Sequence, residues 1–299
     1  MVGTRRSGGF GILAAIVGFG AGLCAAGGAW AQTSSLPPAP PVIGQPHPWE
    51  MNFPASYTPV MDKVNSLHDL LLVIITLISL FVLGLLIYVM WRFHASRHPV
   101  PTAVTHNTLL EIAWTVVPIL ILVVIAIPSF RLLYYGDKAA DPAFTIKVVG
   151  HQWYWEYDYP DQGNFTVESR ILPEADRLKL KPTNPRMMAV DNEMVIPSNT
   201  QIRIVGTGAD TMHGWTVPGF GLKKTVIPGR LNEGWISVRE EGLYFGQCSQ
   251  ICGNGHAYMP IAVRVVSKPE FDGWVAEKKK AAGLTPTSDV ASAAVPANR

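Results

Sequence analysis

Two unbroken apolar runs set the first limit on what this chain can fold into. Residues 70–91, LLLVIITLISLFVLGLLIYVMW, and 112–130, IAWTVVPILILVVIAIPSF, carry no charge over 22 and 19 positions. A bilayer core takes roughly 20 apolar residues in a helix, so each run is long enough to span. Buried core helices of a soluble protein are the alternative, and these lengths disfavour it. Pro118 and Pro128 fit a membrane helix whose neighbours re-satisfy the freed carbonyls.

The N-terminus predicts which way the pair inserts. Arg5 and Arg6, the apolar stretch FGILAAIVGFGAGLC at 10–24, and Ala29-Trp30-Ala31 read as an export signal cleaved after residue 31, taking Cys24 with it. An exported start places the loop 92–111 inside, where Arg92 and Arg97 obey the positive-inside preference. The expectation is a bacterial inner-membrane protein spanning twice, with both termini and the C-terminal domain on the periplasmic side. Its expected layout is a signal peptide over 1–31 and a Pro-rich outer segment over 32–63. The hairpin then covers 64–136, an exterior domain 137–280, and a disordered tail 281–299, which lacks core-forming residues. Trp49, Trp91 and Tyr134 flank the spans as interfacial anchors. With a net charge of +2 and no basic patch interleaved with aromatics, the chain offers no nucleic-acid surface.

From residue 144 the pattern turns to short runs: FTIKVVG, HQWYWEYDY, TQIRIVG, GWISV, GLYFG and IAVRVV, bounded by Pro, Gly, Asn and Asp. Short strands with no helical pattern between them predict an antiparallel, all-β Greek-key sandwich. Residues 170–186, polar and Pro-rich, read as a surface loop.

Between two of these strands lies CSQICGNGHAYM, residues 248–259, holding two of the three cysteines of the chain with a histidine and a methionine. Thiolate and thioether are soft ligands suited to copper, and imidazole serves copper and zinc alike. A second imidazole is available upstream in DTMHGW, at His213. A zinc site would use Cys248, Cys252, His213 and His256 but leave Met259 without a role. A disulfide between the cysteines would leave both histidines unexplained.

DTMHGWTVPGFGLKKTVIPGRLN, YFGQCSQICGNGHAYMPI and GHQWYWEYDY, with the two-span anchor, resemble cytochrome c oxidase subunit II from about Pro48 to Lys278. The resemblance implies a cupredoxin-like sandwich and a dinuclear copper centre, CuA. Cys248 and Cys252 would bridge two coppers, and His213 and His256 would bind one each. Met259 and the backbone carbonyl of Gln250 would be weak axial ligands. It also implies electron transfer from cytochrome c to haem a in subunit I, with subunit III as a further partner. The haems belong to subunit I; no CxxCH attachment motif occurs in this sequence. A quinol-oxidase relative would lack copper ligands that are present here.

The same resemblance assigns further roles. Trp153 becomes the electron-entry point, with Tyr154 close to the copper, while Trp155 reads equally as an ordinary sandwich aromatic. Asp158, Asp191, Glu193 and Asp210 become acids that steer cytochrome c. Glu111 becomes the entrance of a proton path into subunit I. On its own residues, TLLE at 108–111 reads as a capping box, with Thr108 as N-cap and Glu111 reaching back. Where the family usually has Glu, whose carboxylate reaches a magnesium ion, this chain has Gln250. Its backbone carbonyl is retained, but its amide oxygen is a neutral and weaker ligand for a hard cation.

Overall fold

In the computed structural model, which describes residues 41–284 apart from Pro46 and Pro101, the hairpin and the sandwich are joined through a short N-terminal strand. The expected signal peptide, Cys24 and most of the expected tail lie outside the described residues. In chain order the elements are β1 (Val42–Gly44), α1 (Pro59–Arg92), α2 (Thr108–Asp137), β2 (Phe144–His151), β3 (Tyr154–Tyr159) and β4 (Phe165–Ser169). There follow α3 (Glu174–Leu180), β5 (Met194–Pro197), β6 (Ile202–Gly208), β7 (His213–Val217), β8 (Leu222–Val226) and β9 (Asn232–Ile236). The chain closes with β10 (Gly242–Gln247), β11 (Pro260–Val266) and α4 (Lys268–Ala281).

Both long helices exceed their apolar runs and are apolar enough to cross a membrane. Helix α1 begins at Pro59, inside the outer segment expected to precede the hairpin. Thr58 caps it, its side chain accepting the Met61 N–H at 3.1 Å, and proline suits the first helical position because its missing N–H would be unpaired there anyway. At α2 the expected capping box is corrected. Asn107, not Thr108, is the N-cap, and its carboxamide accepts the Leu110 N–H at 3.2 Å. Asparagine is the stronger cap, which moves Thr108 and Glu111 into the helix.

Outside the spans, both helices are fastened to the sandwich. The Thr58 hydroxyl donates to the Phe220 carbonyl at 2.7 Å, and Arg239 pairs with Asp62 at 2.7 Å. The Trp235 indole donates to the Tyr135 carbonyl at 2.8 Å, and Lys224 meets Asp137 at 2.7 Å.

The sandwich consists of a five-stranded sheet in the order β4-β3-β2-β6-β9, a four-stranded sheet β1-β10-β11-β5, and the β7-β8 hairpin. Alternation along β3 turns Trp155, Tyr157 and Tyr159 inward, while β4 does the same with Phe165 and Val167. They pack with Met194, Ile196, Tyr244, Ile261 and Val263 of the other sheet into one core. The sandwich is mixed, not purely antiparallel: β1–β10, β5–β11 and β2–β6 pair in parallel. Those pairs arise where the chain changes sheet between strands, a connection that hairpin-based reading does not anticipate.

The segment expected to be a surface loop is ordered otherwise. Within 170–186, α3 forms where Glu174 and Arg177, three residues apart, pair at 2.8 Å and Arg177 also donates to the Asn184 carbonyl at 2.7 Å. Helix α4 carries the lysine run 278–280 in its last turn, where cations complement the helix dipole.

Candidate metal centre

Strands β10 and β11 are paired up to Gln247 and Pro260, so residues 248–259 leave and re-enter the sheet at one point. Pinned at both ends, the loop folds its sulfur side chains inward. Cys248 and Cys252 are free and buried, and Met259 is 1% exposed. The two Sγ atoms stand 3.9 Å apart, well beyond the roughly 2.05 Å of a disulfide. Cys252 Sγ lies 3.6 Å from Met259 Sδ and 3.6 Å from His256 Nδ1, and Cys248 Sγ lies 3.3 Å from the Gln250 carbonyl oxygen.

The remaining donor comes from β7. His213, Cys248 and Cys252 present ligand atoms within 4.8 Å of one another, all three residues buried. The His213 Nε2 is engaged by Asp210 at 2.9 Å, while Nδ1 is buried and has no hydrogen-bond partner. A buried nitrogen left unpaired is costly unless a ligand such as a metal ion binds it. Two thiols, two imidazoles, a thioether and a carbonyl therefore converge, a donor set that fits copper. Zinc, served by four N and S ligands, would leave the thioether idle.

Burial pushes the Cys248 thiol up, but the neighbouring His213 and the Gly214 and Gln250 backbone outweigh it, so its pKa falls below the usual thiol range. Burial and the neighbouring Cys248 charge hold the Cys252 thiol above that range. Burial opposes the charge on His213, yet the neighbouring Cys248 and the hydrogen bond with Asp210 raise its pKa overall. Asp210 is itself lowered: burial raises it, and hydrogen bonds from His213, Gln152 and Thr211 more than compensate.

Around this cluster, absent side chains matter as much as present ones. A Cβ on Gly150 would fall 2.8 Å from the His213 ring, and one on Gly255 would fall 2.2 Å from the Trp153 ring. Trp153 accordingly lies flat on the loop backbone, 36% exposed, and its indole donates to the Cys252 carbonyl at 3.2 Å. The Gln152 side chain donates to the same carbonyl at 2.9 Å. Trp155, whose role the sequence left open, is fully buried against the centre. Its indole donates to the Met259 carbonyl at 3.1 Å and its ring centroid is 6.0 Å from that of His213.

Tyr154, expected close to the copper, occupies the opposite face of β3 from Trp155. It stacks on His151 at 4.4 Å, with the Arg170 guanidinium 3.5 Å from its ring centroid. Strand alternation dictates this, because neighbours on a strand point to opposite faces.

Each of the four expected docking acids has partners within the domain. Asp158 pairs with Lys147 at 2.9 Å, and Asp191 accepts the Arg170 and Asn192 N–H groups at 2.7 Å each. Glu193 does not belong to an open docking surface: its side chain is 4% exposed, held between Lys181 at 2.5 Å and Arg264 at 2.6 Å. Asp210 is turned towards His213. Glu111 is half-buried in the first turn of α2, at the far end of the hairpin from the cluster. Sequence reasoning missed Gln152 and the inward turn of Asp210. The three-residue step from Asp210 to His213 was the one available signal.

Comparison with known proteins adds to this geometry. Residues 144–266 match the family model described as cytochrome c oxidase subunit II, periplasmic domain, and residues 46–132 match the model for its transmembrane domain. A probable cytochrome c oxidase subunit 2 from Rickettsia bellii is 46% identical over 248 residues, covering 83% of this chain and 91% of that one. Cytochrome c oxidase subunit 2 from Arabidopsis thaliana is 44% identical over 237 residues, covering 77% and 90%. Among solved structures, the periplasmic domain of subunit II of cytochrome oxidase from Bradyrhizobium japonicum is 46% identical, with a TM-score of 0.44. The match covers 48% of this chain and 99% of that one.

Proposed function

The chain belongs to the cytochrome c oxidase subunit II family, and on that premise we propose that it passes single electrons from cytochrome c to haem a in subunit I. Subunit I would then reduce oxygen to water and pump protons. The enzyme is a haem–copper terminal oxidase, an oxidoreductase in which this chain is the relay. One observation carries the reading: two thiols, two imidazoles, a thioether and a carbonyl converge in one loop and the adjoining strand.

Cys248, Cys252, His213 through its unpaired Nδ1, His256, Met259 and the Gln250 carbonyl would hold a copper pair. Such a pair, when bound, supplies a one-electron site whose charge is shared by two metals. The protein holds those ligands on a loop clamped at both ends and on strand β7, shielded by Trp155 and the sandwich core. Little reorganisation of the site should therefore accompany a change of charge. Trp153, exposed on one side and in backbone contact on the other, is the entry we assign to the donor. Gln250 lacks the anionic oxygen that a magnesium ion would prefer, and we assign it no magnesium.

We place the sandwich on the periplasmic side of the bacterial inner membrane and the loop bearing Arg97 on the cytoplasmic side, following the positive-inside preference. Glu111 then opens α2 at the cytoplasmic face, as befits a proton-path entrance leading into subunit I. Subunit III completes the expected partners.

The test is metal analysis and electron spin resonance of the purified complex containing the full chain. Two coppers per chain beyond those of subunit I, with a seven-line mixed-valence pattern, are expected. A mononuclear blue-copper spectrum, zinc, or no metal at the site would overturn the reading.

A further inference from the structure

One carboxylate beside the cluster is fully engaged inward although its side chain is 35% exposed. Asp210 lies in the turn between β6 and β7. Its Oδ1 accepts the Thr211 N–H at 2.6 Å and faces His213 Nε2 at 2.9 Å, while Oδ2 accepts the Gln152 N–H at 2.7 Å. An ionised carboxylate only accepts hydrogen bonds, so the histidine nitrogen facing it must carry the hydrogen. That choice fixes the tautomer. Nε2–H points at Asp210, and Nδ1, buried and unpartnered, is left bare beside the thiols.

The same carboxylate holds a second element in register. By fixing the Gln152 backbone it aims the Gln152 side chain at the Cys252 carbonyl, 2.9 Å away, where the Trp153 indole also donates at 3.2 Å. Gly150 leaves room for the imidazole in this orientation; a Cβ there would sit 2.8 Å from the ring. One side chain thus orients a candidate ligand and sets the position of the candidate entry residue.

We propose that Asp210 is a positioning residue of the metal centre, setting the His213 tautomer and the Gln152–Trp153 turn. The proposal rests on the copper reading above. Carboxylates that orient a metal-binding histidine raise the basicity of the ligating nitrogen, and removing them typically costs about 10- to 100-fold in metal affinity.

The test compares the purified complex carrying D210A or D210N with the unsubstituted one. D210A removes all three acceptor contacts. It should surrender copper to a chelator about 10- to 100-fold more readily and alter the resonance hyperfine pattern. D210N, the same shape, keeps one acceptor oxygen but presents an N–H₂ group to another donor, so it should fall between. It also carries the test if D210A does not assemble. Unchanged copper retention and an unchanged resonance pattern in D210N, with only the donor KM and its salt dependence altered, would overturn the proposal. Absence of the two-copper signal from the unsubstituted complex would instead overturn the functional reading.

Discussion

At Trp153 the ring meets the metal loop with no side chain between them, because positions 253 and 255 are both glycine. Its single polar contact is the indole N–H to the Cys252 carbonyl at 3.2 Å. Trp153→Phe keeps an aromatic face but deletes that donor and half the ring system. Electron entry from cytochrome c should slow by at least about tenfold, an added barrier of about 1.4 kcal/mol, while the copper resonance pattern stays as it was. Stopped-flow reduction of the complex by reduced cytochrome c checks this; an unchanged rate would remove Trp153 from the path. The six donors of the cluster were legible as residues because their types and spacing are chemically unusual together. The direction each neighbour faces was not. Tyr154 and Trp155 are adjacent and similar, and only strand alternation separates them. Glu193 looks like any surface acid until Lys181 and Arg264 close over it.

On the scale of elements, Thr58 joins membrane helix to sandwich through one hydroxyl. It is fully buried, accepts the Met61 N–H at 3.1 Å and donates to the Phe220 carbonyl at 2.7 Å. Thr58→Ala would leave both backbone groups unpaired in a dry site, costing about 1–3 kcal/mol. Thr58→Ser should restore most of it. Thermal denaturation of the complex, with hydrogen exchange at the start of α1, reads this directly; equal stability of the alanine and wild-type forms would contradict it. The helices were legible because long charge-free runs have one reading. Their outer turns were not, since Asp62, Lys63, Asn65, His68 and Asp69 interrupt the apolar run there. Strands β1, β4, β5, β7 and β8 escaped for a related reason. Each is no longer than five residues, and the alternation it carries is too short to stand out against turns.

For the molecule as a whole, the arrangement across the membrane is the quantity to measure. Arg97 is exposed in the loop between the helices, and Lys179 and Arg186 are exposed on the sandwich. Trypsin added to spheroplasts should cut at the latter two and spare Arg97; inside-out vesicles should give the reverse. Cleavage at Arg97 from outside would invert the assigned orientation. Hydropathy and the charges at 92 and 97 made this orientation readable, whereas nothing in the sequence disclosed that the segment before α1 belongs to the sandwich.

That segment pairs with the C-terminal domain. Val42 lies opposite Leu243 in a parallel ladder, and the Leu243 N–H donates to the Pro41 carbonyl at 2.9 Å. The partners are separated by roughly 200 residues of chain, the whole hairpin included, so this ladder is among the most distant contacts the fold must close. A sheet cannot be shared across a bilayer. The edge of β10, the strand that runs straight into the loop 248–259, can be covered only by a chain that has crossed an even number of times. β1 is therefore a parity check on insertion: a molecule stalled after one crossing exposes an open strand edge beside its unfinished metal loop, a surface prone to aggregation.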